Sequence, residues 1–139
     1  MNLFAWLSGR SGSEKSLGER GEDAAARYLK RKGYRLLARR LDSPLGELDI
    51  IAVDGRTVVF AEVKTRTTAD AGHPADAIDE RKRRRMTQAA LAYLKANRLL
   101  QCSARFDVVA ITWPAEGRRP VVEHFENAFA STGIGQFYS

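Results

Sequence analysis

Apolar and polar positions along this chain switch between a helical and an extended period, and the switches mark its elements. Residues 17–32 repeat at helical spacing, with Ala25, Ala26, Tyr28 and Leu29 apolar and Gly33 as the stop. Ser16 followed by Glu19 has the spacing of a capping box. Residues 34–41 read as a strand, and Asp42-Ser43-Pro44 as a turn, because the residue before a proline avoids helix. Ile50-Ile51-Ala52-Val53 and Val58-Val59-Phe60-Ala61 are apolar on both parities, as strands buried on both faces are. Asp54-Gly55 between them predicts a two-residue hairpin turn, with Val53 paired to Arg56 and Asp49 opposite Phe60. Residues 67–75 read as a loop, and residues 76–97 as a second long helix with Met86, Ala89, Ala90, Tyr93 and Leu94 on its core stripe. Residues 105–112 and 121–125 read as strands joined by a turn or loop.

The order helix, three strands, helix, two strands predicts an α/β fold: a mixed central sheet of about five strands flanked by helices. The long helix between the third and fourth strands permits a right-handed parallel crossover. A single domain is expected over residues 17–129, after a flexible leader at 1–16 and before a disordered tail at 130–139. The apolar start, residues 1–7, is too short to span a membrane and lacks the basic start of a signal peptide, so a cytoplasmic protein with no membrane partner is expected. Cys102 is the only cysteine, which excludes an intrachain disulfide and fits a reducing compartment.

Charge changes this picture. Twenty-three Lys and Arg against seventeen Asp and Glu leave a formal charge of +6, which favours a polyanionic partner, most simply nucleic acid. Arg81-Lys82-Arg83-Arg84-Arg85 crowds five cations into the first turns of the second helix, where the helix dipole disfavours them unless an anion answers. Phosphate binding and a solvated basic face both fit that run.

The acidic residues carry the candidate chemistry. In the expected pairing Asp49, Phe60, Glu62 and Lys64 share one face, with Glu47 on it too, and Glu62 lies diagonal to Asp49. Two carboxylates so placed can reach one divalent cation, and charges at the ends of buried strands are costly unless paired or metal-bound. The alternative is a solvated hairpin face carrying a Glu/Lys pair. Glu22 falls on the same helical face as Ala25, Ala26 and Leu29, where a carboxylate needs a reason. Asp107 reads as a cap or the partner of an arginine, outside the site, and His73 as a solvated loop residue.

Asp49, followed thirteen residues on by Glu62-Val63-Lys64, resembles the Asp…(Asp/Glu)-x-Lys signature of the restriction-endonuclease-like, PD-(D/E)xK superfamily. Gly21-Glu22…Tyr28-Leu29…Gly33-Tyr34 is similar to the first helix of archaeal Holliday-junction resolvases. Gly-Glu-Leu-Asp-Ile-Ile-Ala, Val-Phe-Ala-Glu-Val-Lys-Thr-Arg and Arg-Phe-Asp-Val-Val-Ala-Ile, in that order, resemble the blocks of the bacterial YraN family of predicted nucleases across residues 17–129. The literal Pro-Asp is absent, since Pro44 stands five residues before Asp49, and Gln88 precedes Tyr93 by one place too many for the Gln-x-x-x-Tyr of some members.

The resemblance implies a restriction-endonuclease-like fold and a metal-dependent nuclease. Mg²⁺ or Mn²⁺ would be held by Asp49, Glu62 and the Val63 carbonyl, with Glu22 completing the shell directly, through water or at a second metal. Lys64 would orient the attacking water or stabilise the transition state, and Arg66, Arg81, Lys82 and Arg85 would hold the DNA backbone. Glu47 and Gln88 are candidate supports behind these groups. The expected substrate is branched, flapped or single-stranded DNA in repair or recombination, and the resolvase likeness implies a homodimer. The alternative is a non-catalytic nucleic-acid-binding adaptor that retains the fold.

Overall fold

A computed structural model describes residues 15–68, 72–114 and 118–131. Its strands are β1 (Arg35–Leu41), β2 (Leu48–Asp54), β3 (Thr57–Arg66), β4 (Ser103–Thr112) and β5 (Val121–Phe129), hydrogen-bonded in that order into one sheet. β3 and β4 run parallel and every other pair antiparallel, so the sheet is mixed, as expected. The two helices are α1 (Leu17–Arg31) and α2 (Glu80–Ala96). The parallel pair follows from chain order, because α2 lies between β3 and β4 and carries the chain back along the sheet. α1 packs Ala24, Ala25, Ala26 and Leu29 on one face, over Ile50, Ala52, Val59, Ala61, Val109 and Ile111. α2 packs Met86, Ala89, Ala90 and Leu94 on the other, over Ile51, Val58, Phe60, Phe106 and Val108. Strands covered on both faces need apolar residues at both parities, which is why these runs are unbroken.

Local chemistry sets the element ends. The Ser16 hydroxyl accepts from the Glu19 amide at 3.1 Å while the Glu19 carboxylate accepts from the Ser16 amide at 2.9 Å, closing the capping box. α1 stops before Gly33, whose φ of +101° is left-handed. At Gly21 the helix meets the sheet so closely that a Cβ would stand 1.8 Å from the Thr65 hydroxyl. Gly21→Ala is therefore expected to cost about 1–3 kcal/mol through overpacking. Thermal melting checks this, and an unchanged melting temperature would mean that α1 does not sit against β3 there.

The structure corrects three expectations. Asp54 pairs with Thr57 and Val53 with Val58, so Gly55 and Arg56, not Asp54 and Gly55, are the central turn residues. Gly55 takes φ +63° at the first central position, which is the glycine placement of a II′ turn. The second long helix begins at Glu80 rather than at residue 76, because the Asp79 side chain caps the Lys82 amide at 2.8 Å and Pro74–Ala77 winds a separate 3-10 turn. His73 is exposed, as expected, and also caps that turn, its Nδ1 accepting from the Ala75 amide, with its ring centroid 4.5 Å from that of Phe125. β5 runs past residue 125 to Phe129, through an irregularity where Asn127 takes φ +53°, and Phe129 stacks on Phe106.

A polar cluster ties this edge of the sheet to the end of α1. Asp107 is fully buried and accepts from Arg105 Nε at 2.9 Å, Arg105 Nη2 at 3.2 Å and the Asn127 amide at 2.9 Å, with His124 Nε2 at 2.7 Å. Lys32 Nζ lies 2.9 Å from His124 Nδ1. An ammonium only donates, so Nδ1 accepts and the proton sits on Nε2, facing Asp107. Burial pushes the Asp107 carboxyl up, but the bonds from His124, Arg105 and Asn127 outweigh it and hold the group below the usual range. The expected leader (1–16) and tail (130–139) lie outside the described residues except for residues 15, 16, 130 and 131. Among the described residues no helix is long and apolar enough to cross a membrane.

Candidate active site

The ladder between β2 and β3 reaches Ile50 opposite Ala61, and one further step along it sets Asp49 opposite Glu62. The pair is thus direct rather than diagonal, at about 4.5–5.5 Å between facing backbones. The Val63 amide donates to Asp49 Oδ2 at 2.9 Å, which replaces a main-chain bond where β2 begins. Amide and carbonyl of one strand residue point to the same neighbour, so the Val63 carbonyl also faces the Asp49 side.

Both carboxylates are largely withdrawn from water. Glu62 is 3% exposed; its Oε2 accepts from Lys82 Nζ at 2.5 Å, whereas its Oε1 is buried without a hydrogen-bond partner among the described residues. Burial first, and the charge of Glu62 second, push the Asp49 carboxyl up to about 7, against the opposing bond from the Val63 amide. Glu22 adds a smaller push. The arrangement asks for a proton or a cation between the two carboxylates, and the orphaned Glu62 oxygen with the neighbouring Val63 carbonyl supplies further oxygen donors. Oxygen-only donors suit a hard divalent ion such as Mg²⁺ or Mn²⁺, so the residues fit that group.

Glu22 is placed elsewhere. Its Oε1 accepts from Arg40 Nε at 2.6 Å and lies 3.9 Å from Arg39 Nη2, so β1 engages it, and Asp49 feels only its charge. Arg40 adopts a left-handed φ of +50°. Among the described residues no three His, Cys, Asp or Glu side chains converge closely enough to hold a metal together. Lys64, two residues beyond Glu62 and on its face, is half-buried and has no hydrogen-bond or ion-pair partner among the described residues. Glu47 stands on the wall of the adjacent cavity. Gln88, half-buried on α2, makes no hydrogen bond to the carboxylates among the described residues.

The five-cation run of α2 is dispersed by its helical turn. Arg83 points inwards, donating to the Ile78 and Ala75 carbonyls and lying over the Phe129 ring. Arg84 pairs with Glu80 one turn back. Lys82 reaches Glu62, whereas Arg81 and Arg85 have no carboxylate partner among the described residues and line an open cavity of about 540 Å³ with Gly46, Glu47, Asp79, Lys82 and Met86. Arg66 is tied down, donating to Thr112 Oγ1 and the Gly72 carbonyl and lying 3.8 Å from Glu123. Of the four cations expected on the DNA backbone, Arg81 and Arg85 are the two left without a carboxylate or hydrogen-bond partner among the described residues. The role of Lys82 had one signal in the sequence: it stands one turn before Met86, on a stripe read as core.

Comparison with known proteins finds a model of the "Uncharacterised protein family UPF0102" matching residues 21–111. The chain is similar to a UPF0102 protein of Rhodopirellula baltica, 50% identical over 88% of this chain and 75% of that one. It is also similar to those of Geobacter metallireducens (47%; 83% of this chain, 93% of that one) and Geobacter sulfurreducens (50%; 83% and 89%). The matched span takes in Glu22, both facing carboxylates, Lys64 and the basic start of α2. On the family model and on these identities, the chain belongs to the UPF0102, YraN-like family.

Proposed function

We propose that this protein is a metal-dependent nuclease of the restriction-endonuclease-like kind, hydrolysing phosphodiester bonds in branched, flapped or single-stranded DNA. The observation that carries the reading is the facing pair of half-buried Asp49 and buried Glu62, the latter with an oxygen unpartnered among the described residues, beside a cavity lined by Arg81 and Arg85. The Asp…Glu-x-Lys resemblance supports it independently.

Asp49, Glu62 and the Val63 carbonyl would hold Mg²⁺ or Mn²⁺. Such an ion, when bound, supplies charge neutralisation at the phosphoryl oxygens and a water of lowered pKa. The protein's own groups do the rest. Arg81 and Arg85 hold the backbone in the cavity, contacts that bring salt-sensitive affinity without sequence information. Lys64, free on the carboxylate face, donates to oxygens on which charge develops in the transition state. Burial of Glu62 and half-burial of Asp49 lower the local polarity and strengthen these interactions. The protein would act in DNA repair or recombination, as a homodimer if it cuts two strands symmetrically.

The test is cleavage of labelled duplex, single-strand, flap and four-way-junction DNA with Mg²⁺ or Mn²⁺, comparing wild type with Lys64→Ala. Cutting that requires the ion and falls at least about 100-fold in the variant is the expected result. Salt-sensitive binding with no cutting of any substrate would favour a nucleic-acid-binding adaptor. One observation favours that second reading: Glu62 already has a cation of its own in Lys82.

A further inference from the structure

Glu62 is half satisfied. Lys82 takes one of its oxygens, and the other is buried with no partner, although a permanent structural ion pair would ordinarily leave neither oxygen bare. The Lys82 ammonium also feels the charges of the Asp49 and Glu47 carboxylates. Nearby cations are Lys64 on β3 and Arg81 and Arg85 on α2. The Lys82 side chain is 42% exposed, and Lys82 itself lines the cavity. Its backbone is held separately, by the Asp79 cap on its amide, so its head can leave Glu62 without disturbing the helix. Four methylenes give that head several ångströms of travel.

We propose that Lys82 is a built-in competitor for the divalent cation: its ammonium neutralises the carboxylate pair in the ion's absence and must withdraw from Glu62 for the ion to bind. The inference rests on the metal reading of the site given above. An ammonium and a divalent ion cannot both sit against the same buried carboxylate without strong repulsion, so one displaces the other. The displaced head moves into the cavity beside Arg81 and Arg85, where a substrate phosphate replaces the lost anion. Ion and phosphate then favour one another's binding, because each draws on the same released lysine. In this scheme Lys82 positions and regulates, and its first role is to keep the site weak for metal until an anionic substrate arrives.

The experiment is calorimetric titration of the full chain with Mn²⁺, without nucleic acid and at mildly alkaline pH. It compares wild type with Lys82→Met and Lys82→Gln, which keep much of the stem and lose the charge, and with Lys82→Arg, which keeps it. Both neutral variants are expected to bind Mn²⁺ about tenfold more tightly, and the arginine variant to stay near wild type. Unchanged or weaker binding in the neutral variants, or an equal gain in Lys82→Arg, would overturn the competitor role while leaving the metal site standing. Absence of Mn²⁺ binding in all four proteins, with melting curves showing them folded, would overturn the metal reading itself and the inference with it.

Discussion

Asp107→Ala is expected to lower the free energy of unfolding by about 3–5 kcal/mol at neutral pH, the cost of removing one partner from a buried ion pair. The carboxylate is fully buried and engages four donor atoms, so its loss strands groups that water cannot reach. Arg105 keeps Asp54 at 3.1 Å and Glu126 at 3.7 Å, but those lie at the rim, whereas its own side chain is 11% exposed. The Nε2–H of His124 and the amide of Asn127 would be left unpartnered. Asp107→Asn preserves shape but turns an NH₂ towards donors, and His124 cannot answer by changing tautomer while Lys32 donates to its Nδ1. It is expected to cost about 1–3 kcal/mol. The Asp107 carboxyl is held below its ordinary value in the folded state, so its contribution is present above the unfolded value of 3.8 and lost as pH falls through the folded one. Urea unfolding at neutral and acid pH checks both statements. A cost below about 1 kcal/mol for the alanine variant, or one that does not shrink in acid, would sink them.

How much of this was legible in the sequence depends on the range over which each feature is encoded. The capping box at Ser16, the stop at Gly33 and the doubly apolar strands are local, and they place α1 to within a residue of its observed ends and the centres of β2 and β3. The shared face of Asp49 and Glu62 survived an error in the turn, because the observed register differs from the expected one by two residues, and a two-residue slip preserves the side-chain face. Long-range pairings were not legible. Arg66 is fixed by Thr112 only because β3 and β4 are parallel in one particular register. Asp107 meets the Asn127 amide only because β5 continues past residue 125 to an irregularity at Asn127, a non-glycine residue with positive φ. Glu22 faces the sheet, as its spacing predicts, with its side chain 14% exposed, but Arg40 of β1 engages it from a left-handed backbone conformation that arginine seldom adopts, and no spacing in the sequence signals this partner. For the five cations of α2, a helical wheel separates the inward Lys82, Arg83 and Met86 from the rest, but which carboxylate Lys82 reaches depends on how the helix lies on the sheet.

Asp49→Asn is expected to make the metal-free protein more stable at alkaline pH and to reduce DNA cleavage at least about 1,000-fold. The sign of the first effect follows from linkage. Burial and Glu62 raise the Asp49 carboxyl from 3.8 to about 7 in the folded chain, so the folded state holds that proton more tightly than the unfolded one does. Stability from this group is therefore full below about 4 and is lost as pH rises towards about 7 and beyond. Asparagine mimics the protonated form, and its oxygen can still accept from the Val63 amide. The variant should match wild type below about pH 4 and exceed it by about 1–3 kcal/mol at pH 8 in a chelator. Added Mg²⁺ or Mn²⁺ should reverse the order, because the ion relieves the repulsion in wild type and finds one carboxylate fewer in the variant. Melting temperatures measured across pH, with chelator and with divalent ion, test this without any assay of activity. If Asp49 served only to hold β3 through the Val63 amide, the substitution would be neutral or destabilising at every pH and indifferent to metal. A gain in stability that appears only above the raised pKa and disappears with metal, joined to loss of cleavage, is the behaviour of a carboxylate retained for function at the expense of the fold.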